Sequence, residues 1–157
     1  MSRDVSCHLM SMLDQVQGYF MHALVGGVGR HEDKPGSWAF VGLRTEMAVA
    51  QLLKARAVLP AGPAPKFLDC GAGLSFVTTL AGGLGFDATG VEWNDGYVSL
   101  AKGLFPSTKI IRGDVLTFDG YGDYDVIYYY GPFSDEDIQR SFEEKVEAEA
   151  KVAAVII

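Results

Sequence analysis

The chain has 157 residues, of which 48% are hydrophobic and 21% charged, as expected for one globular domain. Twenty Asp and Glu against 13 Lys and Arg give a net charge of -7, which disfavours a nucleic acid substrate. Two cysteines, Cys7 and Cys70, exclude a disulfide framework and predict a reducing, cytoplasmic environment. Neither they nor the three histidines show the spacing of metal ligands, so we predict no metal site.

Two amphipathic helices are predicted in the N-terminal part of the chain. Apolar residues recur at helical spacing from Met10 to Leu24 and again from Arg44 to Leu59, with a glycine-rich polar loop between them. The most apolar early stretch, Tyr19 to Gly29, is shorter than the roughly 20 residues that a membrane span needs, so we expect no membrane association. We therefore predict one domain, with a helical segment over residues 1–39 and a core over residues 40–157.

Short apolar runs alternate with helical stretches from Lys66 onward. The predicted strands are Phe67 to Cys70, Ala88 to Glu92, Lys109 to Arg112, Tyr124 to Tyr130 and Lys151 to Ile157, and the predicted helices between them are Leu74 to Gly82, Asp95 to Leu104 and Ser134 to Ala150. Such alternation is typical of βαβ units, and nearly continuous apolar strands indicate burial on both faces. The predicted fold is α/β: a doubly wound, mostly parallel Rossmann-like sheet of about five strands with N-terminal helices.

A glycine loop follows the first predicted strand and leads directly into a helix. Gly71 and Gly73 lack a Cβ, so the backbone there can turn sharply and approach a ligand closely. The N–H groups of the helix N-terminus favour a carboxylate or a phosphate at this place. A dinucleotide fingerprint needs glycine or alanine three residues after the second glycine, where this chain has Phe76. That residue argues against a nicotinamide-dependent oxidoreductase.

Two acidic residues follow the next two strands. Glu92 ends the second strand, where its carboxylate can accept hydrogen bonds from both ribose hydroxyls, although it could instead cap the helix that follows. Asp114 lies just past the third strand and could accept a hydrogen bond from an adenine amine, or simply occupy a turn. Trp93 beside Glu92, and Val115 or Leu116 beside Asp114, could offer apolar faces for a purine. The ends of three successive strands therefore carry the kinds of group that bind an adenosine.

These motifs resemble those of the class I S-adenosylmethionine-dependent methyltransferases. LDCGAG at 68–73 is similar to the glycine motif of that family, GVE at 90–92 to its ribose-binding acid and GD at 113–114 to its adenine-binding acid. YDVIYYYGPF at 124–133 looks like the fourth-strand motif that borders the methyl-transfer centre. The resemblance implies a methyltransferase whose cofactor is S-adenosylmethionine.

The resemblance also implies a role for each matching residue. Asp69, Gly71 and Gly73 would hold the methionine part of the cofactor, Glu92 its ribose and Asp114 its adenine amine. Tyr130, Pro132 and Phe133 would line the slot in which the acceptor meets the methyl group.

Two departures from the family pattern narrow the expected function. Family members that methylate nucleobases have Asn or Asp before Pro-Pro at the fourth strand, whereas this chain has Gly131-Pro132-Phe133. We therefore expect a small-molecule or protein acceptor, such as a lysine side chain. The family sheet has additional C-terminal strands, and this chain ends near the fifth, so we expect the usual C-terminal strand hairpin to be absent. A non-catalytic S-adenosylmethionine-binding protein is the alternative that this shortness suggests.

The last predicted strand is almost entirely apolar and would form an edge of the sheet. An apolar edge with unpaired backbone N–H and C=O groups promotes association with another chain. We therefore expect a homo-oligomer that forms through this C-terminal strand edge.

Overall fold

The structure is a computed structural model. It describes residues 44–157 together with Ser11, Asp14, Gln15, Gly18, Gly36 and Ser37. Four of these isolated residues belong to the first predicted helix, Met10 to Leu24, and all four are helical. The remainder of that predicted helix lies outside the described residues.

Residues 44–157 form four α-helices and a five-stranded sheet. In chain order the elements are α1 (Thr45–Val58), β1 (Lys66–Cys70), α2 (Phe76–Gly83), β2 (Asp87–Glu92), α3 (Asp95–Leu104), β3 (Lys109–Arg112), β4 (Val126–Tyr129), α4 (Glu136–Glu149) and β5 (Val155–Ile156). A single 3-10 turn, Tyr121–Asp123, lies in the crossover between β3 and β4. The predicted α/β alternation is confirmed.

The strands lie in the order β3-β2-β1-β4-β5, and every neighbouring pair is parallel. The chain first builds outward from β1 to β3 and then crosses to the other side of β1 for β4 and β5. The order thus reverses between β1 and β4, and ligands of such sheets bind at the carboxyl ends of the strands at this point. In the register, Asp69 lies opposite Gly90 of β2 on one side and Tyr128 of β4 on the other.

Helices cover both faces of the sheet, as the apolar strands predicted. On one face, Leu52 of α1 and Ala81 of α2 pack in a buried cluster with Phe67 of β1. On the other face, Phe142 of α4 packs with Leu68 of β1 in a second buried cluster. Successive residues of β1 alternate between the two clusters, which is the period of a strand.

The last strand is much shorter than the prediction of Lys151 to Ile157. Residues 151–154 form a turn, closed by a 3.0 Å hydrogen bond from the Ala154 N–H to the Lys151 carbonyl, and Ala153 has φ +68°. The Asp125 carboxylate secures this end of the sheet, because it accepts from the Lys66 N–H at 2.7 Å and from Lys151 Nζ at 2.6 Å. The Lys151 ammonium lowers the pKa of Asp125 accordingly.

Candidate ligand-binding site

The glycine loop folds back over the end of β2. The N–H groups of Gly71 and Ala72 both donate to the Val91 carbonyl, at 2.9 and 3.0 Å. Gly71 has φ +77° and Gly73 φ +52°, a left-handed backbone that favours glycine. A Cβ on Gly71 would stand 3.3 Å from Pro132 Cβ, so the loop also lies against the segment that follows β4. The glycine motif and the fourth-strand motif are therefore brought together.

The Glu92 carboxylate joins this loop to the start of α3. It is buried, and its two oxygens accept hydrogen bonds from the N–H groups of Gly73 and Asn94, each at 2.8 Å. The N-cap of α3 is Asn94, whose Oδ1 accepts from the N–H groups of Gly96 and Tyr97. Glu92 therefore does not cap the helix itself. A carboxylate can accept about four hydrogen bonds, and ribose binding by Glu92 stays a prediction.

Asp69 lies in β1 beneath the glycine loop. Its side chain is buried, and Thr78 Oγ1 donates to Asp69 Oδ2 at 2.6 Å. Burial raises the pKa of Asp69 to about 6; the hydrogen bonds from Thr78 oppose this shift and the charge of Glu92 adds to it. Burial therefore disfavours the ionised form of Asp69 more than its hydrogen bonds with Thr78 favour it.

We expect Asp69→Asn to change how stability depends on pH. The folded-state pKa of about 6 lies above the ordinary carboxyl value of 3.8, so the folded wild type binds this proton more tightly and loses stability as pH rises from about 4 to about 6. Asparagine keeps an acceptor for Thr78 and does not titrate. Between pH 4 and pH 7 the wild type should therefore lose about 2 kcal/mol of unfolding free energy that the variant retains.

Urea unfolding at a series of pH values measures this difference. Asp87→Asn, which removes an exposed carboxylate from the opposite end of the neighbouring strand, is the control and should follow the wild type. Parallel stability curves for the wild type and Asp69→Asn would contradict the assignment.

Asp114 and Val115 lie just past β3. Asp114 Oδ1 accepts from the Leu116 N–H at 3.0 Å, so this residue does form the turn that the sequence allowed. A carboxylate can accept about four hydrogen bonds, and the turn leaves the adenine role open as a prediction. Val115 is buried in the core on the α4 face, and its carbonyl accepts from the Tyr121 hydroxyl at 2.6 Å.

Trp93 is exposed beside Glu92 and has a partner that the sequence did not reveal. The Arg112 guanidinium lies 5.5 Å from the centroid of the Trp93 ring, a cation–π distance. Arg112 Nε also lies 2.6 Å from Asp95 Oδ1. The first of these contacts follows from the strand register, in which Arg112 stands opposite Glu92, and the sequence alone does not give that register.

The three residues predicted to line the acceptor slot lie in different environments. Tyr130 is 52% exposed and directly follows β4. Pro132 is half-buried against the glycine loop. Phe133 is buried, with its ring centroid 5.7 Å from that of Phe142, and its N–H donates to Gln139 Oε1 at 3.2 Å. Their roles in catalysis remain predictions.

A segment that precedes α1 contacts this same region. The Gly36 carbonyl accepts from the Ser134 N–H at 2.7 Å, and Ser37 forms an antiparallel bridge with Phe133. Phe40 to Leu43, which continue this segment, lie outside the described residues, as do the three histidines.

The part of the chain that is described contains no group of three or more His, Cys, Asp or Glu placed to hold a metal ion. Within that same part, no helix has both the length and the apolar composition to cross a membrane.

No family model matches this chain, and neither does any curated protein. Solved structures do match it. A TehB-like S-adenosylmethionine-dependent methyltransferase from Corynebacterium glutamicum is 21% identical, with a TM-score of 0.54 over 68% of this chain and 58% of the other. CalS10, an amino pentose methyltransferase from Micromonospora echinaspora solved with S-adenosylmethionine bound, is 19% identical, with a TM-score of 0.61 over 81% and 57%. DesVI from Streptomyces venezuelae is 16% identical, with a TM-score of 0.56 over 72% and 50%.

The chain therefore has the fold of the S-adenosylmethionine-dependent methyltransferases, and the fold that its motifs predicted is confirmed. It spans 50 to 58% of the length of these three structures.

Proposed function

We propose that the protein is an S-adenosylmethionine-dependent methyltransferase that acts on a small-molecule or protein acceptor. One observation carries the proposal: the Glu92 carboxylate accepts a hydrogen bond from the Gly73 N–H at 2.8 Å. This bond places the acid proposed to bind the ribose directly against the glycine loop. This pair stands at the carboxyl ends of the strands, beside the point at which the strand order reverses. The fold shared with known methyltransferases supports the same conclusion.

The residues at this site fit S-adenosylmethionine. The adenosine part needs acceptors for two ribose hydroxyls and one amine, and the amino-acid tail needs a narrow backbone turn beside a carboxylate. The tail would lie between the bends at Gly71 and Gly73 and the buried carboxylate of Asp69. The residues proposed for the adenosine part are Glu92, Trp93, Asp114 and Val115.

When bound, the cofactor supplies a methyl group on a positively charged sulfur. Transfer would join that methyl carbon to a lone pair of the acceptor, leave the carbon–sulfur electron pair on sulfur and release the acceptor's proton to solvent. The protein contributes mainly by holding the reacting atoms about 3 Å apart and in line while excluding water. No nucleophile of the protein is needed, and burial raises the pKa of the Cys70 thiol, which keeps it protonated. Tyr130 and Pro132 are proposed to orient the acceptor.

Binding and turnover test the proposal separately. Isothermal titration should show tighter binding of S-adenosylhomocysteine than of NAD, and labelled S-adenosylmethionine should transfer its methyl group to a component of a small-molecule or peptide pool. Tighter binding of NAD would overturn the proposal. Tight binding of S-adenosylhomocysteine without a labelled product would favour a non-catalytic binding protein. That alternative is suggested by the length of the chain, which is about half that of the matched structures.

We also propose a cytoplasmic location and an acceptor other than nucleic acid. The two cysteines, one of which is the buried free thiol of Cys70, support the first point, and the net charge of -7 supports the second.

A homo-oligomer is proposed to form through the β5 edge. Val155 and Ile157 line an apolar groove of about 250 Å³ together with Val58 of α1, and Ile156 between them is exposed on the opposite face of the strand. We expect size-exclusion chromatography with light scattering to give a dimer mass for the wild type and a monomer mass for Ile156→Lys, because a buried ammonium opposes association. Leu53→Lys, an exposed apolar position of α1 outside the groove, should remain dimeric. A monomeric wild type would contradict this arrangement.

A further inference from the structure

Two buried hydroxyl groups, one at the start of α2 and one in β4, have no hydrogen-bond partner in the described part of the chain. They are Ser75 Oγ and the hydroxyl of Tyr128, on side chains that are 0% and 3% exposed. Tyr128 belongs to the core cluster covered by α1, and Ser75 immediately precedes α2. Both residues therefore lie on the sheet face that α1 and α2 cover.

The two hydroxyl-bearing residues flank Asp69. Tyr128 stands directly opposite Asp69 in the β1 and β4 register, and burial together with the Asp69 charge raises the pKa of Tyr128. On the other side, Ser75 Oγ lies 3.6 Å from the point that a Cβ on Gly90 would occupy, and Thr78 Oγ1 lies 2.9 Å from that same point. Thr78 in turn donates to Asp69. Asp69 thus has Tyr128 opposite it on one neighbouring strand, and the hydroxyls of Thr78 and Ser75 close to the Gly90 position on the other.

Folding alone does not account for these hydroxyls. A buried polar group left unpaired costs about 1 to 3 kcal/mol, and phenylalanine at position 128 would avoid that cost. Ser75 has φ +62°, a backbone that costs a residue with a Cβ about 1 to 2 kcal/mol, so glycine would fit better there. Ser75 also occupies the N-cap of α2 without its side chain capping the helix. Both residues therefore reduce stability where they stand.

A primary ammonium group matches what these residues offer. It has three donors and no acceptor, and the site provides the Asp69 carboxylate and two hydroxyl oxygens. We propose that Ser75 and Tyr128 complete, with Asp69, a subsite for the ammonium group of the cofactor's amino-acid tail. The proposal rests on the function proposed above and adds two residues to it. The glycine bends above this group let the tail approach, and rotation of the Ser75 side chain between staggered positions brings its oxygen to the ligand.

Two ligands and two variants test the subsite. S-adenosylhomocysteine carries the amino-acid tail, whereas 5′-methylthioadenosine has the same adenosine and a thioether but no tail. In isothermal titration, Ser75→Gly and Tyr128→Phe should each weaken S-adenosylhomocysteine about tenfold, the scale of a hydrogen bond to a charged group, and leave 5′-methylthioadenosine unchanged. The thermal midpoint of each variant should equal or exceed that of the wild type, because an unpaired hydroxyl is removed.

Tyr129→Phe is the matched control. Tyr129 is the next residue of β4, its ring contacts Phe142 on the opposite face, and its replacement should change neither affinity. Unchanged binding of S-adenosylhomocysteine to Ser75→Gly and Tyr128→Phe would overturn the proposal. Equal weakening of both ligands would overturn it too, because it would reveal a structural role. A wild type that binds neither ligand would instead refute the proposed function itself.

Discussion

Glu92→Gln should weaken the binding of S-adenosylhomocysteine by about 1 to 3 kcal/mol, a factor of roughly 5 to 150. The Glu92 carboxylate accepts from two backbone N–H groups, those of Gly73 and Asn94. An amide has only one oxygen, so either orientation of glutamine directs its NH₂ group at one of these donors. The glycine loop then loses an anchor, and the ribose loses a charged acceptor. Isothermal titration measures the loss directly.

Asp87→Asn is the matched control for this variant. Asp87 begins the same strand that Glu92 ends, and its exposed carboxylate pairs with Lys109 at 2.5 Å. The charge change is the same but occurs at the far end of β2, so the affinity should stay at the wild-type value. Wild-type affinity in Glu92→Gln would remove Glu92 from the site, and equal weakening in Asp87→Asn would assign the effect to net charge.

Gly90→Ala should both destabilise the fold and disrupt the ligand site. A Cβ on Gly90 would lie 2.7 Å from Ala72 Cβ and 2.9 Å from Thr78 Oγ1, closer than atoms of these types approach. Such overpacking costs about 1 to 3 kcal/mol. Since Ala72 belongs to the glycine loop, relief of the clash displaces the loop from the end of β2, and S-adenosylhomocysteine should bind more weakly. Urea unfolding and isothermal titration give the two values.

Gly103→Ala is the matched control, because it adds the same methyl group at a position where that group meets no other side chain. Gly103 is the next-to-last residue of α3, and no atom outside the nearby helix backbone stands within 4 Å of its added Cβ. Alanine stabilises a helix relative to glycine by up to about 1 kcal/mol, so the two variants should shift stability in opposite directions. A Gly90→Ala protein as stable as the wild type would mean that the loop has room to move without cost.

Most of the fold follows from patterns that are local in the sequence. The alternation of apolar runs with helical periods marks every strand and helix from β1 to α4 within a few residues. The prediction for the last strand failed because Val152 to Ala154 are small or apolar, as in a strand, whereas the left-handed backbone of Ala153 places them in a turn. Nothing in an alanine reveals a positive φ. The start of α2 was placed too early for a similar reason, since the Ser75 N–H bonds to the Ala72 carbonyl in a further turn.

In the candidate site, too, some residues were predictable from local sequence patterns and others were not. Glu92 and the glycine loop were predictable, because a glycine-rich turn and an acid at a strand end each have a local signature. Other neighbours in the site were not predictable, because they depend on which residues face each other across strands or loops. Arg112 contacts Trp93, Ser75 lies close to Gly90, and Tyr128 stands opposite Asp69. Register and loop direction determine these neighbours, and both arise only when the sheet assembles.

The parallel strand order also has a consequence for how the protein folds. No two neighbouring strands are joined by a hairpin, so each pairing closes a long stretch of chain. The central pair, β1 and β4, is the extreme case: Asp125 binds the backbone of Lys66 across 59 positions of sequence. Contacts this distant slow folding, because the entropy of the intervening chain is lost before they form. Since Asp69 and Tyr128 are register partners in this pair, the subsite proposed for the ammonium group forms only when the most distant strand pairing closes.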